Sequence, residues 1–412
     1  MRISKPHFPA DHSIRNPVFR NLALGSSFNS AGWQGEQVIL GLLAYQLTGA
    51  SIWVGIVLAL NFAPMFFVGV PAGVLADRFD RRWLLIRVEI VLVIALIAFA
   101  LLLSQGGGAL PAVLGMSVIS GIVRSVHHPA RLSYAGDMAG KGGMIGTLSL
   151  LSIVSRIGQL SGALIAGYVS EYVSPAAAYF ILALAHVLAV YCFMQTTANR
   201  AGIERKGDAQ TKSIPVAVLE YFRVIRSSHL LVLLIIFATL TEVFGFSFVT
   251  AMPEIAIDRL HAGANDLGLM HAFRNAGGLF GAIVVTLLTT KRLGLVYLVV
   301  LSAFGLALLM LGRVPTMPGV LLAVAMIAVF ASASDILVQS MMQLSVPAEL
   351  RGRAMGAWVV ALGMGPLGHL ELGLLISFLG TASALYFNGI VLLIIGVVGY
   401  LLVPSVRRIR DI

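Results

Sequence analysis

The stretch Gly73-Val74-Leu75-Ala76-Asp77-Arg78-Phe79-Asp80-Arg81-Arg82 decides the fold, and it lies on a short polar bridge between two long apolar segments. Glycine at its head has no Cβ, so two helices can approach closely there. Asp77 follows one helical turn later, at the membrane edge, where a carboxylate meets the positive end of a neighbouring helix. Arg78, Arg81 and Arg82 add a basic cluster behind it.

Working outward, apolar residues make up 58% of the 412 and charged residues only 11%, with a mean hydropathy of +0.93. A soluble chain carries about 25% charged residues, so a soluble fold does not fit. Stretches of about 20 apolar residues, enough to cross a bilayer, recur along the chain. Twelve spans are predicted, at 19–47, 51–76, 83–104, 109–131, 143–171, 175–196, 229–257, 265–290, 293–312, 318–346, 352–378 and 383–404. Lipid offers the backbone no hydrogen bonds, and these segments are too long for barrel strands. The expected fold is an all-α integral membrane protein of twelve transmembrane helices.

Of the 28 Lys and Arg, Arg259 and Arg313 fall in loops on one side and Arg124, Arg156 and Arg274 within spans; the other 23 lie on the side of the N-terminus. By the positive-inside rule that side is cytoplasmic, with both termini on it. The net charge of +10 is spread over short loops and forms no single tract, which argues against a nucleic-acid partner. The first 18 residues are polar and basic and lack the apolar core of a signal peptide, so the first span is expected to stay as a helix. A lone Cys192 offers neither a disulfide nor a thiolate metal site. No phosphate loop or catalytic-triad spacing occurs, so neither an enzyme nor a cofactor is expected.

The one sizeable polar break, Thr197 to Ser228, divides the chain six spans to six. The expected organisation is a cytoplasmic tail (1–18), a six-helix bundle (19–196), a cytoplasmic linker (197–228), a second six-helix bundle (229–404) and a C-terminal tail (405–412). The halves echo each other: Gly162 and Gly167 in span five recur as Gly368 and Gly373 in span eleven, and Gly281 through Lys291, Arg292 and Gly294 resembles a worn copy of the opening motif.

The opening motif, with Leu47-Thr48-Gly49-Ala50-Ser51, His128-Pro129-Ala130-Arg131 and Pro347-Ala348-Glu349-Leu350-Arg351-Gly352-Arg353, resembles one branch of the major facilitator superfamily. That branch holds the enterobactin exporter, macrolide-efflux proteins and transmembrane secretion effectors. The resemblance implies two pseudo-symmetric bundles and proton-coupled efflux of an amphiphilic small molecule, siderophore or drug-like, by alternating access. It also implies a monomer in the bacterial inner membrane. In the family the motif's Asp caps span eleven and its Arg joins the same charge relay; by position these roles fall on Asp77 and Arg81, with Gly73 at the close contact. Two departures from drug antiporters stand out. Gly158-Gln159-Leu160-Ser161-Gly162 in span five lacks the antiporter proline, which appears instead in span eleven as Gly365-Pro366-Leu367-Gly368. Arg124-Ser125-Val126-His127-His128 in span four lacks the glycine that follows the antiporter arginine.

A charge at mid-bilayer costs about 2.5–3.5 kcal/mol, so it faces a cavity or a partner. Glu36 sits within Asn29-Ser30-Ala31-Gly32-Trp33-Gln34-Gly35-Glu36-Gln37, the most polar intramembrane run. Glu242, Asp335, His369 and Glu371 are further intramembrane polar groups, set against Arg156 and Arg274. A carboxylate desolvated in a cavity suits proton coupling, which makes Glu36 the first candidate, then Asp335 and Glu242. Asn29, Gln34, Gln37, Arg156, Arg274, Asn275, His369 and Glu371 are candidate cavity residues, the alternative being polar seams or ion pairs between helices. Gly158, Gly162, Gly365 and Gly368 are candidate helix-packing glycines. His127 and His128, being adjacent on a helix, point apart and argue against a metal site; His186 reads as a satisfied core residue. Two other functions fit the same fold: import of a small polar metabolite, and a non-transporting sensor or assembly protein.

Overall fold

The computed structural model describes residues 16–78, 80–138, 144–196, 228–287, 292–346, 358 and 361–409, without the side chains of 68–78, 136, 137 and 144–146. The side chains of Gly73, Asp77 and Arg78 lie outside the described residues, as do the linker from 197 to 227 and the segment Pro347–Arg353. The chain is an all-α integral membrane protein. Its helices are α1 (Pro17–Thr48), α2 (Ser51–Arg78), α3 (Arg81–Ser104), α4 (Leu110–Met138), α5 (Met144–Tyr172) and α6 (Pro175–Met194). They continue with α7 (His229–Arg259), α8 (Ala264–Leu287), α9 (Leu293–Arg313), α10 (Met317–Leu344), α11 (Gly365–Leu379) and α12 (Thr381–Leu402). Among the described residues eight of these are long and apolar enough to cross a membrane, and Ser51–Phe67 and Gly365–Leu379 are shorter apolar helices. Large apolar side chains such as Ile94, Leu184, Leu306 and Phe378 stay exposed, as a lipid-facing surface requires.

Two compact units emerge: Met1–Ile39 with Pro64–Gln210, and Leu40–Ala63 with Thr211–Ile412. In the first, α3 and α6 pack along their lengths, with α4 beside α3 and α5 beside α6. One core cluster gathers Phe19, Leu22, Leu85, Tyr134, Leu151 and Phe193. Asp80 caps α3, its side chain accepting from the Arg82 amide at 2.9 Å. Ser174 caps α6 in the same way, and Pro175 follows at the first turn, where a missing N–H costs nothing. Gly158 and Gly162 lie against the backbone carbonyls of Ser27 and Ala31, so α5 rides directly on α1 with no room for a Cβ. Span four was expected to end at residue 131, yet α4 runs through Pro129 to Met138. Burial of Ala130, Tyr134 and Ala135 outweighs the hydrogen bond lost at the proline.

In the second unit α9 packs on α12 and α10, and α8 on α10. Its core includes Leu234, Phe237, Tyr297, Leu301, Met341 and Met342. Span seven was expected to be one continuous helix from 229 to 257. It is α-helical to Phe244, turns at Gly245 into a 3₁₀ segment (Phe246–Ala251), resumes a short α turn (Met252–Glu254) and finishes in a π turn (Ile255–Arg259). Gly245 packs against the Phe304 ring of α9, and Pro253 supplies no amide to the ladder, so the break has both a tertiary and a local cause.

Candidate functional site

The polar run of α1 is buried in the first unit. Gln34, Glu36 and Gln37 are each under 5% exposed, although they sit in an apolar span. The Ser120 hydroxyl of α4 donates to Glu36 Oε1. One turn further along α4, the Arg124 guanidinium stacks on the Trp33 ring, 3.3 Å from its centroid. Residues 33 and 36 of α1 thus meet residues 120 and 124 of α4, both pairs at the three-to-four spacing that shares one helix face. Arg156 of α5 is half-buried in the same unit.

A second carboxylate, which sequence reasoning did not single out, is more fully enclosed. Glu89 of α3 has no exposed surface. His186 Nδ1 of α6 lies 2.6 Å from its Oε2, and His127 Nε2 of α4 lies 3.0 Å from its Oε1. Asn29 of α1 donates to the same Oε1 at 2.5 Å. Four helices therefore meet on one buried acid. The available signal was the rule that selected Glu36, an acid inside an apolar run, since Val88 and Ile90 flank Glu89. Below this network, Arg81 donates to the Ser133 carbonyl at 3.3 Å, and Arg82 to the carbonyls of Phe193 and Met194 at 3.3 and 2.6 Å. The two motif arginines fasten the start of α3 to α4 and to the end of α6.

In the second unit Glu242 and Asp335 line one narrow cleft together with Thr241, Tyr297, Ser334 and Trp358. The Trp358 indole donates to Asp335 Oδ1 at 2.9 Å. The cleft's interior space of about 10 Å³ holds about one water molecule, so it is a narrow polar cleft and no pocket for a drug-sized ligand. Elsewhere in the unit His369 meets the Thr250 hydroxyl at 2.9 Å and stacks on Phe62. Asn388 donates to Glu371 and to Ser247, both at 3.3 Å. The predicted polar residues of α11 thus sit with α2, α7 and α12, apart from the Glu242–Asp335 cleft. Arg274 is half-buried and Asn275 buried on α8. Gly368 packs on the Val243 backbone, and a Cβ on Gly365 would come within 3.6 Å of Glu242 Oε2.

A third acidic site, also missed from sequence, closes the far end of α7. Glu254 accepts from the hydroxyls of Ser51 and Thr381, one on each oxygen. These are the first residues of α2 and α12, so one carboxylate faces the positive ends of two helices. One turn on, Asp258 accepts from the Tyr45 hydroxyl of α1 at 2.5 Å, and Arg259 donates to the Leu311 carbonyl at 2.8 Å.

With this geometry in view, the family model described as transmembrane secretion effector matches residues 11–409. The staphyloferrin A transporter of Staphylococcus aureus is 23% identical over 376 residues, covering 89% of this chain and 91% of that protein. The enterobactin exporter EntS of Shigella flexneri is 26% identical over 410 residues, covering 96% and 94%. Among solved structures, a peptide transporter POT variant bound to alafosfalin superposes with a TM-score of 0.76 at 14% identity and full coverage of both chains. The inward-open xylose transporter XylE from E. coli superposes with a TM-score of 0.70 at 12% identity, covering 94% and 96%. At these identities the structural likeness shows the fold alone.

Proposed function

The chain belongs to the transmembrane secretion effector family, and from that premise we propose that it exports an amphiphilic small molecule of siderophore type in exchange for protons. Helices α1–α6 rock as one bundle against α7–α12, exposing the site to one face of the bacterial inner membrane at a time. Both termini lie in the cytoplasm, in keeping with the Lys and Arg asymmetry. The observation that carries the reading is Glu36, a carboxylate 1% exposed in mid-span and bonded to Ser120. Such a group is expensive to keep unless its protonation is used. The names of the two relatives, one a staphyloferrin A transporter and one an enterobactin exporter, supply the substrate class. Trp33 under Arg124 offers an aromatic and cationic surface, which matches an anionic aromatic chelator.

Everted vesicles holding the full chain, energised to an acid lumen and read with a pH-sensitive dye, test this with enterobactin as the probe. Export predicts that enterobactin enters the lumen and partly collapses the gradient, and that a protonophore lowers entry about tenfold or more. Entry that ignores the protonophore would refute the coupling. Enterobactin accumulation only in right-side-out vesicles would reverse the vector.

A further inference from the structure

We propose that Glu89, His186 and His127 form a proton-binding site of the transport cycle that exchanges its proton with Glu36 across Gly32. The inference rests on the proton-coupled reading above and deepens it. It starts from enclosure: Glu89 and His186 have no exposed surface and His127 is 3% exposed, so the cluster sits beyond solvent screening. Both Glu89 oxygens are hydrogen-bonded, Oε2 by His186 at 2.6 Å and Oε1 by Asn29 at 2.5 Å, and His127 Nε2 stands 3.0 Å from Oε1. The other imidazole nitrogen of His186, Nε2, has no hydrogen-bond partner among the described residues. It points at Gly32, where a Cβ would collide with the ring. Glu36 is one helical turn from Gly32 on the same face of α1.

An imidazole placed this way passes protons without moving far. A proton accepted at Nε2 from Glu36 is matched by one released from Nδ1 to Glu89 Oε2, and ring reversal of the tautomer resets the path. Rotation of the protonated Glu89 carboxyl places its O–H opposite His127 Nε2 on α4, 3.0 Å from Oε1, where the O–H bond breaks as the N–H bond forms. The other charged or titratable groups near this path are Arg124, His128 and Arg131 on α4 and Tyr179 on α6. Arg124 is stacked on Trp33, and Arg131 donates to Ser155 at 2.9 Å. A purely structural network would hold one fixed charge state, whereas a proton-binding site must change state.

The test needs no transport substrate. Full-length protein labelled with [15N]histidine, nine residues in all, is placed in lipid nanodiscs and titrated by NMR from about pH 5 to about pH 9. The lines that vanish in His127→Gln and in His186→Gln assign the pair. The expected result is one coupled step shared by both imidazoles. Glu89→Gln should displace it by about one pH unit or more and Glu36→Gln by less. Glu89→Asp, which keeps the carboxylate, should retain the coupled step and so separates loss of charge from misfolding. Flat imidazole lines across the range, or a titration indifferent to Glu89→Gln, would overturn the site. A titration indifferent to Glu36→Gln would overturn the exchange with α1. If the pair titrates as stated while enterobactin moves no protons in vesicles, the coupled-export reading fails and the site stands.

Discussion

At the scale of single residues, the two buried acids of the first unit differ in what holds them. Glu36 depends on one hydroxyl, that of Ser120. Glu89 is held by two imidazoles and an amide. Removing the Glu36 charge should therefore cost function more than folding. Glu36→Gln is expected to reduce gradient-driven enterobactin entry about tenfold or more, while the protein extracts and migrates as a monodisperse species. Ser120→Ala, losing one hydrogen bond of about 1 kcal/mol, should have the milder effect. Vesicle uptake and size-exclusion profiles of the pair check both statements. Glu36 was legible in the sequence because its own neighbours, Gln34 and Gln37, mark a polar run within an apolar span. Glu89 carried the signal of an acid in an apolar run, but not its site, because its partners stand 60, 38 and 97 residues away at Asn29, His127 and His186. Periodicity shows which residues share a helix face, not which helices meet. The side chains of Gly73 and Asp77 lie outside the described residues, and their family role stays a proposal.

At the scale of elements, small residues and helix ends carry the argument. Gly158 and Gly162 let α5 rest on the α1 backbone at Ser27 and Ala31. Gly162→Leu leaves the side chain facing main chain that cannot yield, a misfit of about 1–3 kcal/mol. We expect the melting temperature in detergent to fall by about 5 °C, followed by intrinsic fluorescence. The spacing of these glycines was visible in the sequence, but which helix they would touch was not. The broken end of α7 was hidden for a different reason. An apolar count over 229–257 registers length, and the departure at Gly245 depends on the Phe304 ring brought in by α9. That departure positions Glu254 between the first residues of α2 and α12. We read it as a latch that holds these ends together when the outer face is shut. Glu254→Gln keeps the shape and removes the charge that faces two helix dipoles, an effect of about 1–2 kcal/mol. Labelling of a cysteine placed at Tyr45 by an impermeant maleimide should then speed up several-fold. An unchanged labelling rate would leave Glu254 as a structural cap only.

At the scale of the whole molecule, the sequence gives its strongest statement through charge. Of the 28 basic residues, 23 lie on one side by the alternation of spans, and short loops with that bias stay in the cytoplasm. The proposed orientation puts the Glu254 latch at the outer end of α7, beside the turn at His261, whose backbone has a positive φ of 49°. The same orientation puts the linker between 197 and 228 inside. With a single native cysteine, Cys192, buried in α6, the topology can be read without background. In a Cys192→Ser chain, Ala262→Cys should react with an impermeant maleimide on intact spheroplasts, and Lys212→Cys only after permeabilisation. The reverse pattern would put the termini outside and overturn the proposed orientation. Labelling of both positions on intact cells would break the odd count of spans between them that alternation requires, because residues 212 and 262 are separated by α7 alone. An odd number of crossings places the two sites on opposite faces. The sides of the linker and of the latch are therefore fixed by one labelling result, and the vector of transport by the vesicle assay.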